Sequence, residues 1–295
     1  MRTATVPASL ASASGHVKDL LLLAKPRLSG LVVITSAGGL ALAPGRIGAP
    51  RAILAVLGTA AVVGAANALN CYVEREIDGR MRRTRDRPLP AGRVEPFVAL
   101  ALGVMVPAFA LPALALVANP LTALLAFVAL VTYVLVYTPM KQRSTLALFV
   151  GAVPGAIPPL MGWTTVTGRL DAGGLALFAL LFAWQIPHFL AVSLYLREDY
   201  ARGGLKVFSL VHGERATRLA IAASAVVLVP VSLLLLPLGV AGTGYGITAG
   251  VLGVGLAGLA FAGLGKEGGR WARLFFLATL VYLTAIFVAL FAGAA

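Results

Sequence analysis

The chain has 295 residues, of which 59% are hydrophobic and only 12% charged, and it carries a net charge of +13. Soluble domains hold about 25% charged residues, so a soluble fold would need one very large core with too little polar surface to cover it. The basic excess does not mark a nucleic-acid binder, because the bases lie in short stretches between apolar runs and not on one soluble face. A single cysteine, Cys71, rules out an intramolecular disulfide and a cysteine-rich metal site.

Residues 1–19 are rich in Ala, Ser and Thr and lack the apolar core of a signal peptide, so they read as a flexible cytoplasmic tail. Residues 20–295 read as one membrane domain. Its apolar runs are continuous, not alternating, which is the pattern of helices. In lipid each helix satisfies its own backbone. Runs of about 20 apolar residues predict nine transmembrane helices in an all-α polytopic bundle. They fall near 27–43, 52–72, 97–117, 120–138, 146–163, 173–195, 217–237, 244–264 and 272–293. Pro44-Gly45, Asn119-Pro120 and Gly173-Gly174 punctuate the breaks.

With the N-terminus in the cytoplasm, 21 of the 24 lysines and arginines fall on cytoplasmic stretches, leaving Arg46, Arg51 and Arg169 outside. That asymmetry is what the positive-inside rule predicts, and an odd number of spans puts the C-terminus outside. The two longest cytoplasmic loops follow the second and sixth spans. Each opens with acids and runs on into bases, as in a chain built from two related four-helix halves plus one helix.

The richest segment is N-A-L-N-C-Y-V-E-R-E-I-D-G-R-M-R-R-T-R-D-R-P-L-P-A-G-R, residues 67–93. Asn70, Glu74 and Asp78 are spaced i, i+4 and i+8 and share one helix face over about 12 Å. Asn67 stands one turn earlier. Such a ladder of oxygens suits Mg²⁺, which binds few carboxylates and leaves room for substrate phosphates. The bland alternative is an acidic helix end paired with its own arginines. Against it, helix C-termini disfavour acids. Arg80, Arg83, Arg85 and Arg87 are candidates for a diphosphate, since guanidinium forks match its oxygens, or are simple orientation charges.

The loop after the sixth span offers Asp199 as a second metal ligand, with Arg202 or Lys206 for the diphosphate and Gly203-Gly204 for close approach. A solvated loop is the other reading. Tyr137, Lys141 and Arg143 in Y-T-P-M-K-Q-R-S-T, and Lys25 before the first span, are open to both readings as well. Within the sixth span, W-Q-I-P-H holds Trp184 and His188. An intramembrane ionisable residue is costly and suggests function: His188 could bind haem iron, act as a base, or bond across helices.

Together these residues resemble the UbiA-type intramembrane prenyltransferases, a nine-helix family with two acidic cytoplasmic motifs. Asn70, Glu74 and Asp78 match the first motif, with Glu74 where members more often carry Asp. Within the family, R-T-R-D-R-P-L-P-A-G-R (83–93), G-A-V-P-G-A-I-P-P-L-M-G-W (151–163) and W-Q-I-P-H-F (184–189) are similar to members that farnesylate haem. The resemblance spans about residues 20–290. It implies transfer of farnesyl from farnesyl diphosphate to a vinyl group of protohaem IX (haem b), with addition of water, giving haem O and diphosphate. It further implies Mg²⁺ as cofactor on Asn70, Glu74, Asp78 and Asp199. Substrate contacts would come from Asn67, Lys25, Arg80, Arg83, Arg87, Tyr137, Lys141, Arg143, Arg202, Lys206, Trp184 and His188. Working partners would be the bilayer, with haem A synthase or oxidase assembly proteins.

Three other readings compete: a related enzyme acting on a quinone precursor or chlorophyll-like pigment, a transporter, and a haem-delivery protein using His188 alone. A transporter is disfavoured because every Asp and Glu lies outside the nine spans, whereas coupled transporters place charge near the midplane. Haem delivery leaves both acidic motifs unexplained.

Overall fold

The computed structural model describes residues 8–266 and 268–293, and among these every regular element is helical. Helix α1 (Ala8–Leu23) meets α2 (Pro26–Leu42) at a 50° bend across Ala24 and Lys25. Then follow α3 (Ala49–Arg80), α4 (Pro96–Val117) and α5 (Pro120–Val131), which runs through a π-helical turn, Thr132–Tyr137, into α6 (Thr138–Met140). Next come α7 (Ala147–Thr167), α8 (Ala172–Tyr195), the short α9 (Arg197–Arg202) and α10 (Phe208–Val211), then α11 (Gly213–Leu233), α12 (Thr243–Phe261) and α13 (Gly269–Gly293).

Eight of these helical stretches are long and apolar enough to span a bilayer, and α2, bent against α1, makes a ninth. The span order expected from hydropathy therefore stands. Two boundaries move. The expected tail to residue 19 lies partly outside the described residues, in 1–7, and partly within α1. Helix α3 continues eight residues beyond the expected span end at 72, and Glu74 and Asp78 lie buried in that continuation, on the helix their spacing predicts.

Local sequence explains where the helices start. Pro26, Pro50, Pro96 and Pro120 occupy the first turns of α2 to α5, where the missing N–H costs nothing. Asn119 caps α5: its Oδ1 accepts from the Thr122 amide at 2.8 Å and its Nδ2 donates to the Thr164 carbonyl of α7 at 2.7 Å. Asn119→Ala removes both bonds, and a cap alone is worth about 1 kcal/mol. A lowered thermal midpoint in detergent with otherwise normal purification is the expected result.

Consecutive helices pack as neighbours in two groups, α2 to α5 and α7, α8, α11 and α12, joined where α7 packs against α2 and α5. Helix α13 closes against α8, α12 and α2. Lipid gives no hydrophobic drive for helices to associate, so close packing must do it. The α2–α7 crossing is the tightest such contact: a Cβ on Gly39 would collide with the Pro159 carbonyl, and one on Gly162 with the Ser36 carbonyl. Two buried polar handles here find backbone partners, Trp184 Nε1 on the Thr279 carbonyl at 2.7 Å and Tyr245 Oη on that of Ser232 at 2.7 Å. Leu116, Phe109 and Ile247 point outward, as lipid contact requires.

Candidate active site

The polar residues converge at one end of the bundle, between α2, α3, the π-helical turn, α7 and α8, around a cavity of about 240 Å³. The last turns of α3 supply its floor. Asn70, Glu74 and Asp78 all line it, as their spacing on one helix face predicts. Each is buried, at 0%, 6% and 1% exposure, so each oxygen needs a partner.

Those partners come from elsewhere in the chain. Lys25, at the bend between α1 and α2, places Nζ 2.5 Å from Asn70 Oδ1. Lys141, just past α6, pairs with Glu74 Oε1 at 2.6 Å, while the other Glu74 oxygen accepts from Asn70 Nδ2 at 3.0 Å. Arg87 pairs with Asp78 Oδ2 at 2.7 Å. Arg87 reaches back because the segment after α3 folds over the helix end, where Thr84 Oγ1 donates to the Asp78 carbonyl at 2.9 Å.

Lys25 is the one non-glycine residue with positive φ, 49°, among the described residues. Strain of this kind persists only where its surroundings impose it, commonly at functional sites. Burial lowers the Lys25 pKa to about 8. Burial also works against the charge of Lys141, but Tyr137, Glu74 and Tyr133 outweigh it and hold its pKa above the ordinary lysine value. The Lys141 ammonium additionally sits 4.6 Å from the centre of the Tyr137 ring.

The π-helical turn has a visible purpose. π-bulges cluster at functional sites because they re-aim side chains, and here Tyr133 and Tyr137 both line the cavity. Thr138 Oγ1 donates to the Tyr133 carbonyl at 2.8 Å and accepts from Asn70 Nδ2 at 3.0 Å, so the turn also orients Asn70. Gly151 leaves room for the Tyr137 ring. Asn67 lies behind this wall, donating to Ser29 Oγ at 3.0 Å and accepting from Tyr133 Oη at 3.3 Å.

Of the remaining sequence candidates, Arg83, Tyr137 and Lys206 line the cavity, and Arg80, Arg143 and Arg202 are exposed away from it. Asp199 is buried but its carboxylate faces the loop after α3: Oδ1 accepts from the Arg82 amide at 2.7 Å and Oδ2 from the Arg83 amide at 3.4 Å. Arg202 lies 3.8 Å from it. Gly203 is pressed against Met81 and Ile77, so the close approach its size permits is to the end of α3. Asp199 thus fastens the segment that carries Arg83 and Arg87. Trp184 and His188 face α13, with rings 4.6 Å apart and His188 Nδ1 2.7 Å from Thr279 Oγ1.

Tyr133, Thr138, Phe189, Tyr200 and Phe208 are part of the site or its support without having been expected there. Tyr133 and Tyr137, four apart and next to Lys141, carried a usable signal. Phe189 and Phe208 carried none, since aromatic residues in apolar helices are commonplace. Among the described residues no three His, Cys, Asp or Glu side chains gather closely enough to hold a metal alone. That donor set still fits Mg²⁺, which seldom has an all-protein cage and binds through one or two carboxylates plus substrate phosphates.

Solved structures share this architecture. The digeranylgeranylglyceryl phosphate synthase matches with a TM-score of 0.81 at 17% identity, covering 95% of this chain and 99% of the other. A UbiA homologue from Archaeoglobus fulgidus bound to DMAPP and Mg²⁺ matches with a TM-score of 0.70 at 15% identity, covering 92% and 99%. The chain is therefore an integral membrane protein with the fold of the intramembrane prenyltransferases.

It belongs to the UbiA prenyltransferase family, whose sequence pattern matches residues 31–292. Its curated relatives include a protoheme IX farnesyltransferase of Anaeromyxobacter sp. (strain Fw109-5), 81% identical over 95% of this chain and 94% of the relative. Another, from Myxococcus xanthus, is 52% identical over 92% and 93%.

Proposed function

We propose that this chain transfers the farnesyl group of farnesyl diphosphate to a vinyl group of protohaem IX, with addition of water, giving haem O and diphosphate. The observation that carries the choice of substrates is the 81% identity, over nearly the whole of both chains, to a protoheme IX farnesyltransferase. The cavity supports the chemistry independently, because it joins buried oxygens, a surplus of cations and aromatic walls at the membrane surface.

In this reading Asn70, Glu74 and Asp78 would hold Mg²⁺, which supplies charge neutralisation of the departing diphosphate when bound. Lys25, Arg83, Arg87, Lys141 and Lys206 bind and orient the diphosphate oxygens, and their electrostatic stabilisation of the leaving group contributes most to the rate. Asp199 acts by position, holding the segment of Arg83 and Arg87 against α3. The faces of Tyr133, Tyr137, Phe189 and Phe208 suit the developing allylic cation and keep stray water from it. The bases gathered at this end of the bundle favour a cytoplasmic active site, with the N-terminus inside and the C-terminus outside.

His188 belongs to the haem side of this reading. Thr279 gives its hydrogen to the Phe276 carbonyl at 2.6 Å, so its oxygen can accept only from His188 Nδ1–H. That tautomer leaves Nε2 with a free lone pair.

The test is incubation of purified protein with haem b, farnesyl diphosphate and Mg²⁺, followed by mass analysis of the haem. A product heavier by farnesyl plus water, lost with EDTA, is expected; unchanged haem from protein that binds farnesyl diphosphate rejects the acceptor. Thr138→Val keeps the volume but removes one of the three side-chain hydrogen bonds that orient Asn70. Groups behind a ligand typically matter about 10–100-fold, so turnover should fall within that range while the protein still purifies intact.

A further inference from the structure

We infer that the protein binds the headgroup of an anionic phospholipid on a cluster of arginines where α8, α11 and α13 meet, outside the catalytic cavity.

The cluster is built from three segments. Arg197 opens α9 just past the end of α8, Arg218 lies near the start of α11, and Arg273 lies near the start of α13. Arg218 pairs with Glu214 Oε2 at 3.0 Å and donates to the Gly268 carbonyl at 3.3 Å, while Arg197 lies 3.6 Å from Glu214 Oε1. One carboxylate thus serves two guanidiniums. The Nε of each is buried without a hydrogen-bond partner. Arg273 stands 5.7 Å from the centre of the Tyr195 ring, and Arg270, one turn earlier on α13, is exposed. Glu198, next to Arg197 in the chain, turns to Arg202 at 3.5 Å, and Glu267 lies outside the described residues. None of Arg197, Arg218, Arg270 and Arg273 lines the cavity.

A charge that only orients a chain in the membrane can stand free in water. Arg218 cannot, at 5% exposure. Buried donors need partners, and two guanidiniums sharing one carboxylate leave excess positive charge in a partly desolvated place. A phosphodiester supplies what is missing, an anion whose oxygens fit the guanidinium fork. The surroundings decide for a lipid over a soluble phosphate. Leu219 and Leu274, each beside one of the arginines in the chain, are more than half exposed, as side chains that face acyl chains are. Tyr195 is partly exposed at the end of α8, and an amphipathic ring of this kind sits at headgroup level. Basic pockets between membrane helices take anionic headgroups in the same way.

Native mass spectrometry of the purified full-length protein tests this, titrating phosphatidylglycerol against phosphatidylcholine with the same acyl chains. The wild type is expected to bind one phosphatidylglycerol about tenfold more tightly than phosphatidylcholine, the effect of one or two basic residues at a membrane surface. Inorganic phosphate in large excess is expected not to displace it. Arg197→Gln and Arg273→Gln together are expected to abolish the preference. Arg273→Gln alone, at an exposed position, is expected to lower it severalfold and serves if the double variant does not purify folded. Arg80→Gln, which removes an exposed charge at the end of α3, is expected to leave it unchanged. Equal affinity of the wild type for the two lipids, displacement by phosphate, arginine-cluster variants that keep the full preference, or an Arg80→Gln variant that loses it would each overturn the inference. Because the cluster lies outside the cavity, either result leaves the prenyltransferase reading to its own test.

Discussion

Asp78→Asn is expected to lower turnover by about 10²–10³-fold, the loss seen when one group stabilising a developing charge is removed from an enzyme. The substitution conserves shape and removes only the charge. Asp78 is 1% exposed and sits where α3 meets the segment that folds back over it. Its backbone carbonyl, which holds Thr84 and receives the Met81 amide at 3.3 Å, is untouched. Arg87 loses its partner but keeps a side chain 27% exposed, so water can solvate it and the fold survives. The expected signature is monodisperse protein with a collapsed kcat in the haem mass assay. Turnover near that of the wild type would remove Asp78 from the chemistry.

The second large effect concerns the bundle itself. Gly162→Ala adds one methyl group, and that methyl meets the Ser36 carbonyl together with the Leu40 amide nitrogen 2.7 Å away. Both are backbone atoms, so no side chain can rotate to make room, and α2 must move away from α7. Overpacking costs about 1–3 kcal/mol where side chains can adjust, so here the upper end is expected, as a clear fall in thermal midpoint in detergent. Gly250→Ala on α12 is the control, since nothing lies within 4 Å of its added methyl. Replacing a helical glycine at an open position should be neutral or stabilising by up to about 1 kcal/mol. Equal midpoints for the two variants would mean that the α2–α7 crossing does not limit stability. Since α2 follows Lys25 and α7 carries Ala147 and Leu148 at the cavity, the loss should reach activity as well.

Some of this protein was legible before folding was considered. Membrane residence followed from composition, because that much apolar surface with so little charge has no stable arrangement in water. Spans followed from the length of each apolar run against bilayer thickness. The ladder of Asn70, Glu74 and Asp78 was equally readable, because residues four apart share a helix face wherever the helix lies. Only the boundary moved: hydropathy closes the second span at 72, whereas α3 runs on to Arg80 and keeps inside the helix the carboxylates that the spacing places on one face, since buried partners from other segments offset their charge.

Partner choice was not legible. A run of arginines after α3 offers several candidates, and only the fold turns Arg87 onto Asp78 while leaving Arg80 exposed. Asp199 shares the composition of a ligand loop, but its oxygens accept from the Arg82 and Arg83 amides, a use that depends on where two distant segments meet. His188 sits a turn from cavity-lining residues of α8 yet faces Thr279 of α13. By itself the sequence determined the solvent, the helices and the residues that share a face, all consequences of local chemistry and helical period. Tertiary structure decided which cation meets which oxygen, because those pairs depend on how loops close and helices cross over long separations in the chain.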